Sequence, residues 1–184
     1  KGVMQIYGNH LSAVEAVSGL GVVQEGEVDF FFLPLAHSFA RMIEYLGLFL
    51  GTVTAFATSI DTLMQEIGET RPHLIPSVPR IYEKIYARIQ STRQASGVVQ
   101  GAIFDWAVGV GRERSAHLQK GEAVPFFVWA QSLLADRLVF ARIHQLLGGR
   151  VRLMVSGGAP LAREIMEFLH AIGILVLEGY GLTE

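Results

Sequence analysis

The sequence contains no cysteine, and charged residues make up only 17% of its 184 positions. The absence of cysteine excludes a disulfide framework and a thiolate zinc site, and it fits a reducing compartment. The formal net charge of −2 argues against a nucleic-acid partner bound by bulk electrostatics. The sequence also lacks internal repeats and low-complexity tracts. We therefore expect a cytoplasmic globular protein that binds no nucleic acid.

Two features typical of a natural start and end are also missing. The opening KGVMQIYGNH has neither an initiator methionine nor the basic and apolar stretches of a signal peptide. The closing LEGYGLTE follows directly on an apolar, strand-like run, where a polar tail or a helix is more typical. These features lead us to expect a piece cut from a longer protein.

The nearest approach to a membrane-spanning segment is residues 42–60. The stretch has the length of about 20 residues that a span requires. It contains Glu44 and Gly51, and after Gly51 it changes to residues that favour strands. We interpret it as a helix that stops at Gly51, followed by a buried strand.

Five apolar runs of strand length alternate with amphipathic helical patterns. The runs are residues 28–35, 52–57, 73–78, 150–157 and 173–179, and the helical patterns are 9–20, 38–50, 60–69, 79–93 and 161–172. Runs without polar alternation are typical of strands covered on both faces. The order of strands and helices therefore predicts an α/β fold with a largely parallel sheet and helices on both faces.

Two longer helical patterns, at residues 98–119 and 126–147, interrupt this alternation. Gly148 follows the second pattern and suits the left-handed conformation that closes a helix. We interpret residues 98–147 as a two-helix insertion. Trp106 and Trp129 lie on these helices at positions that we predict to be core.

Two glycine-containing turns follow neighbouring strands. In VSGGAPL, Gly157 and Gly158 would let a ligand lie against bare backbone, and Pro160 suits the first turn of a helix. In GYGLTE, Tyr180 is placed to stack on a flat ligand. A plain tight turn is the alternative for each stretch alone. Because ligands bind at the carboxyl ends of parallel strands, the two stretches together favour a ligand site.

The last two residues have side chains that suit a phosphate ligand. Thr183 can donate a hydrogen bond to a phosphate oxygen, and Glu184 is a hard oxygen ligand of the kind that Mg²⁺ takes alongside phosphate. A surface turn is the alternative for both. The sequence thus makes Glu184 the candidate metal ligand.

His37 and a basic helix face are two further candidates. His37 follows the first strand, but no carboxylate lies at a fixed spacing from it, so the sequence does not indicate a catalytic base. Arg80, Lys84 and Arg88 recur on one face of a helix. That face could meet phosphate groups or the inner surface of a membrane, or it could remain simply solvated.

These motifs resemble those of the AMP-forming acyl-CoA synthetases, a branch of the adenylate-forming enzymes. EGYGLTE is similar to the family's adenine and magnesium motif, and LPLAHSFAR and SGGAPL are similar to its other central motifs, in the same order. IPSVPRIYEKIY and LGGRVRLMVSGGAPL resemble the long-chain fatty acid branch. The resemblance covers essentially the whole chain. It implies that residues 1–184 are a central fragment of the AMP-binding domain, with the rest of that domain and a C-terminal domain as partners.

The resemblance also implies a reaction and roles for residues. The parent enzyme would convert a long-chain fatty acid and ATP to acyl-AMP with Mg²⁺, and would then transfer the acyl group to coenzyme A. Thr183, Glu184 and His37 would be catalytic, with Glu184 on the metal and His37 beside the carboxylate. Residues that would bind the nucleotide are Lys1, Gly157, Gly158, Ala159, Pro160, Glu178, Gly179, Tyr180, Gly181 and Thr183.

Two alternatives remain open. A fatty acyl-AMP ligase would pass the acyl group to a carrier protein, and a nucleotide- or lipid-binding module would catalyse nothing. The fragment alone is expected to be inactive in any case, because it would hold only part of the site.

Overall fold

The computed structural model describes residues 3–182, so the predicted site residues Lys1, Thr183 and Glu184 lie outside the described residues. The strands are β1 Val28–Phe31, β2 Val53–Phe56, β3 Leu74–Ser77, β4 Leu153–Gly157 and β5 Leu175–Gly179. The helices are α1 Tyr7–Ser18, α2 Ser38–Leu50, α3 Leu63–Thr70, α4 Pro79–Ala95, α5 Val98–Gln119, α6 Phe126–Ala135, α7 Ala141–Leu146 and α8 Arg163–Ala171. A π-helical turn, Asp136–Phe140, joins α6 to α7.

The five strands form one parallel sheet in the order β2-β1-β3-β4-β5. The predicted parallel sheet is therefore confirmed. After β1 the chain moves outward to β2, and it then crosses to β3 on the other side of β1. The carboxyl ends of β1 and β3 thus flank a topological switch point, which is where ligands bind in open parallel sheets.

Helices cover both faces of the sheet, as predicted. Phe30 and Phe31 point to opposite faces because successive strand residues alternate. Phe30 belongs to the large core, which includes buried residues of α3, α4, α5, α7 and α8. Phe31 packs with Ala40 and Ile43 of α2, and α1 packs on α2.

The prediction of two-sided burial is wrong for β2. Val53 is 56% exposed and Phe56 is 60% exposed. The reason is its position: β2 is an edge strand with β1 as its one neighbour in the sheet of the described chain. An apolar run alone does not distinguish an edge strand from a central one.

The prediction that Trp106 and Trp129 are core residues is also wrong, since their exposed fractions are 38% and 49%. The buried positions of α5 and α6 are occupied mainly by small residues, among them Ala107, Gly111 and Ala135. A Cβ at Gly111 would lie 2.3 Å from the carbonyl oxygen of Ala171 on α8. The small residues therefore form the close contact between helices, and the two tryptophans lie at the periphery of that contact.

The predicted helix ends at Gly51 and Gly148 agree with the structure, whereas the predicted helix start at Pro160 does not. Helix α2 begins after His37 and ends at Gly51, whose φ of 72° closes it in the left-handed conformation as expected. Gly148 likewise has a φ of 83°. Helix α8, in contrast, begins at Arg163, so Pro160 precedes the helix and does not occupy its first turn. No described helix combines the length and apolar character that crossing a membrane requires.

Candidate functional site

A cavity of about 240 Å³ opens at the topological switch point. It is built by three segments that follow β1, β3 and β4, and most of its wall is apolar side chain or glycine backbone. Its lining residues are Leu33, Pro34, His37, Phe39, Ala40, Val78, Pro79, Gly157, Gly158 and Ala159. The sequence-predicted residues His37, Gly157, Gly158 and Ala159 therefore share one cavity.

His37 is exposed at the amino terminus of α2 and caps that helix. Its Nδ1 accepts a hydrogen bond from the backbone N–H of Phe39 at 3.3 Å. A neutral imidazole that accepts at Nδ1 carries its proton on Nε2, which is then a donor. Within residues 3–182, no carboxylate is hydrogen-bonded to His37. The ring is thus suited to donating a hydrogen bond, and the general-base role that the sequence did not indicate finds no partner here.

The two glycine-containing turns begin at the same level of the sheet. Strands β4 and β5 are parallel neighbours, and Gly157 is paired in register with Gly179. The segments that follow, 158–160 and 180–182, are exposed. Gly158 has a φ of 83°, a conformation that L side chains rarely adopt, and nothing lies within 4 Å of a Cβ placed on it. The backbone there is open to a ligand, as the sequence predicts.

The side chain of Glu178 connects the two turns. Its Oε1 accepts a hydrogen bond from the backbone N–H of Leu161 at 2.8 Å. The resemblance placed Glu178 among the nucleotide-binding residues and gave its carboxylate no separate role. The structure adds that this carboxylate holds the end of the Gly157–Pro160 turn against β5. The long separation along the chain is why no local pattern signals this bond.

Phe39 is a residue of the site that the sequence interpretation missed. Its ring lies on the backbone of Gly157, where a Cβ would be 2.7 Å from Cε2 and Cζ of the ring. A Cβ at Gly179 would be 3.7 Å from Cε2 of the same ring. The sequence does contain a signal for this contact. An aromatic residue stands two positions after His37, and the apolar run 150–157 ends in a glycine that leaves room for a ring.

Tyr180 and Gly181 lie outside the cavity wall. Tyr180 is 93% exposed at the end of β5. It follows Gly179, so it lies on the same edge of the sheet as the cavity but presents its ring to solvent. Pro160 is also exposed and is not part of the lining. The roles of these residues in nucleotide binding remain predictions.

The described residues contain no group of three or more His, Asp or Glu side chains that could hold a metal ion. Glu184, the candidate metal ligand, lies outside these residues, as do Thr183 and Lys1. The metal prediction is therefore neither supported nor opposed by the geometry of residues 3–182.

Comparisons with known proteins agree with this architecture. Long chain acyl-CoA synthetase 7, peroxisomal, of Arabidopsis thaliana is 35% identical over 186 aligned residues, which cover 100% of this chain and 25% of the relative. Long-chain-fatty-acid–CoA ligase FadD15 of Mycobacterium bovis is 32% identical and covers 89% of this chain and 27% of the relative. The chain thus spans about a quarter of the length of the curated relatives it matches.

A solved structure and a family model give the same result. The adenylation domain of a carboxylate reductase from Mycobacterium chelonae superposes with a TM-score of 0.61 at 25% identity, covering 86% of this chain and 21% of that one. The family model described as AMP-binding enzyme matches residues 1–184. With a parallel sheet, a switch-point cavity and a match over its whole length, the chain belongs to the AMP-binding enzyme family.

Proposed function

We propose that the full-length protein containing this chain is an AMP-forming long-chain fatty acid–CoA ligase. The observation that carries the proposal is the convergence of His37 and the Gly157–Ala159 turn on one apolar cavity, in a chain similar to long chain acyl-CoA synthetases over its whole length. ATP, a long-chain fatty acid and CoA are the proposed substrates. Residues 98–147 are the proposed two-helix insertion within residues 1–184 of the AMP-binding domain.

The proposed reaction has two displacement steps. A carboxylate oxygen of the fatty acid attacks the α-phosphorus of ATP, and the bond to pyrophosphate breaks to give acyl-AMP. The thiol sulfur of CoA then attacks the acyl carbon and its proton passes to solvent, while the bond from that carbon to the phosphate oxygen breaks and AMP leaves with its electrons. Both steps depend on holding the nucleophile close to the atom that it attacks, so residues that position the substrates are central to the proposed site.

The nucleotide would occupy the exposed edge beyond β4 and β5. The open backbone at Gly158 and Ala159, together with Glu178 and Gly179, would line the base, and the exposed ring of Tyr180 would stack on it. Thr183 would donate to a phosphate oxygen, and Lys1 would contact phosphate. Because nothing crowds Gly158, its backbone can be approached closely.

His37 would contact the fatty acid carboxylate. Since its Nδ1 accepts from the Phe39 N–H, its Nε2 proton is available to a carboxylate or carbonyl oxygen at the cavity. The apolar wall beside it suits the first methylene groups of an acyl chain. The side chain of His37 would therefore orient the acid by donating a hydrogen bond to it.

Mg²⁺ is implied by the family, and Glu184 is the proposed ligand. A carboxylate is the type of donor that Mg²⁺ takes beside substrate phosphates. When bound, the ion would neutralise charge that builds on the phosphates during displacement.

The experiment is ATP–pyrophosphate exchange by the full-length protein with a long-chain fatty acid, followed by a CoA-dependent assay. We expect exchange with the acid, release of acyl-CoA, and no exchange from residues 1–184 alone. Tyr180→Ala should raise the KM for ATP about tenfold, because a stacking contact is worth roughly 1–3 kcal/mol. Glu184→Gln should remove most exchange, whereas Glu83→Gln, an exposed acid on α4, should not.

Other outcomes of the same assay identify the alternatives. Exchange without CoA turnover, but with loading of a carrier protein, would indicate a fatty acyl-AMP ligase. Nucleotide binding without any exchange would indicate a non-catalytic module and would refute the proposed ligase.

A membrane contact is proposed for the basic face of α4, on a protein that we place in the cytoplasm. Arg80, Lys84 and Arg88 are all exposed there, at a spacing that puts them on one face. Neutralising all three with glutamine should lower cosedimentation with anionic vesicles, because each cation near such a surface contributes about 1 kcal/mol. Arg142→Gln, at an exposed position of α7, is the control. Equal sedimentation of both variants would contradict the proposal.

A further inference from the structure

We propose that Phe39 is a positioning residue whose ring, resting on the bare backbone of Gly157, fixes His37 relative to the nucleotide-side turn. The inference rests on the proposed function, which places the fatty acid on the His37 side of this contact and ATP on the Gly157 side. It adds to that function a residue for which neither the motifs nor the comparisons give a role.

Phe39 and His37 are linked at the start of α2. Phe39 is the second residue of α2, and its backbone N–H donates to the imidazole Nδ1 of His37. Its side chain also packs against the small core of Phe31, Ala40 and Ile43. A displaced Phe39 therefore alters the first turn of α2 and the ring that caps it.

The ring of Phe39 meets the end of β4 at contact distance. A Cβ at Gly157 would lie 2.7, 2.7 and 2.8 Å from three atoms of the Phe39 ring, closer than real Cβ contacts come. The strand cannot easily yield, because β4 is paired in register with β3 and β5 on its two sides. The ring would have to move, and it forms part of the cavity wall.

Gly157 and Gly158 therefore require glycine for different physical reasons. Gly158 has a positive φ and open space around its Cβ position, so its requirement is conformational. Gly157 lies within β4 and has no positive φ, so its requirement is the space that the Phe39 ring occupies. Only the second requirement can be relieved by changing Phe39.

The test is a set of variants of the full-length protein: Gly157→Ala, Phe39→Leu, the double variant, and Gly158→Ala with and without Phe39→Leu. Steady-state exchange gives kcat and KM for fatty acid and for ATP. We expect Gly157→Ala to lower kcat/KM for the acid by about 10- to 100-fold, because displacing a positioning group can cost about a hundredfold in rate. Phe39→Leu should restore about tenfold of that loss, as residues in contact are coupled.

Two readouts separate positioning from a merely structural effect. Because Gly157 lies on the nucleotide side of the contact, Gly157→Ala should change the KM for ATP as well, and the first readout is whether Phe39→Leu restores kcat/KM for the acid in that variant by about tenfold. Gly158→Ala should show no rescue by Phe39→Leu. No rescue of Gly157→Ala, or equal rescue of both glycine variants, would overturn the proposal.

Failure to fold and failure of the proposed function have separate signatures. If Gly157→Ala does not fold, the double variant should fold, because the collision is gone; a double variant that also fails overturns the proposal. If the unsubstituted protein shows no acid-dependent exchange, the proposed function fails. The contact is then read from the melting temperatures of the same variants, where rescue confined to Gly157→Ala supports it and absence of rescue overturns it.

Discussion

Replacing Arg152 with methionine should destabilise the sheet at the amino ends of its strands, which lie opposite the candidate site. Arg152 immediately precedes β4, and Glu27 immediately precedes β1, so their ion pair reaches across β3. The Arg152 Nε donates to Oε1 of Glu27 at 2.6 Å, and Nη2 donates to Oε2 of Glu27 and, at 2.8 Å, to the carbonyl of Val22. Methionine keeps the aliphatic stem and removes all three bonds.

The magnitude follows from the surroundings of Glu27, which is only 9% exposed. Burial raises the pKa of Glu27, but the bonds from Arg152, the backbone N–H of Gln24 and the nearby positive charge together outweigh it and lower the pKa. Losing Arg152 leaves that carboxylate, among the hydrogen bonds of residues 3–182, with the one from the Gln24 N–H. We expect a loss of about 2–3 kcal/mol, below the 3–5 kcal/mol of a fully buried pair. The discount reflects the side chain of Arg152, which is 39% exposed.

The effect should depend on pH with a definite sign. Because the folded-state pKa of Glu27 is lowered, its contribution is complete above the unfolded pKa and is lost as pH falls through the folded value. The difference between Arg152→Met and the unsubstituted protein should therefore be largest near neutral pH. It should shrink as the pH falls below the ordinary range of a glutamate.

The assay is hydrogen exchange of the full-length protein, read by mass spectrometry on peptides that contain β1 and β4. Arg163→Met is the control, since it removes an ion pair with Glu167 in which the Arg163 side chain is 87% exposed. Exposed pairs contribute little to stability. The reasoning is wrong if Arg152→Met loses no more protection than Arg163→Met, or if its loss is as large at pH 3 as at pH 7.

Three further substitutions test single contacts. Tyr82→Phe should cost about 1–2 kcal/mol, seen as faster exchange in β3 and β4, because the buried hydroxyl donates to backbone carbonyls of both strands. Gly148→Ala should cost more than about 2 kcal/mol in thermal unfolding, since φ is 83° and the new Cβ would lie 2.7 Å from Cα of Arg71. Glu178→Ala should raise the KM for ATP by freeing the N–H of Leu161, whereas Glu178→Gln, which keeps an acceptor, should not.

The strands were predictable because buried parallel strands read as continuous apolar runs. Each of the five observed strands lies inside its predicted run, and the observed α2 has the predicted bounds, since Gly51 ends it. The wrong predictions concern burial that depends on which element packs against the residue in the folded chain. The exposure of β2 depends on its place at the sheet edge, and the exposure of Trp129 depends on which face of α6 meets α5.

The site was predictable in its location and not in its contacts. The rule that ligands bind at carboxyl ends of parallel strands placed His37 and Gly157 at one edge, and both line the cavity. The contact of Phe39 with Gly157 joins residues more than a hundred positions apart. No periodicity or spacing encodes such a contact, because it arises only when β1 and β4 lie in one sheet.

The amino ends of the strands contribute mainly to stability, and their carboxyl ends form the candidate binding site. At the amino edge, long-range polar bonds join the segments before the strands: Arg152 to Glu27, the Arg150 side chain to the carbonyl of Arg71, and the N–H of Val28 to His73. The carboxyl edge instead presents bare glycine backbone and exposed side chains. A ligand can approach this end closely because the long-range side-chain bonds of Arg152, Arg150 and His73 lie at the other end. Substitutions at the amino edge should therefore lower stability while leaving substrate KM values unchanged.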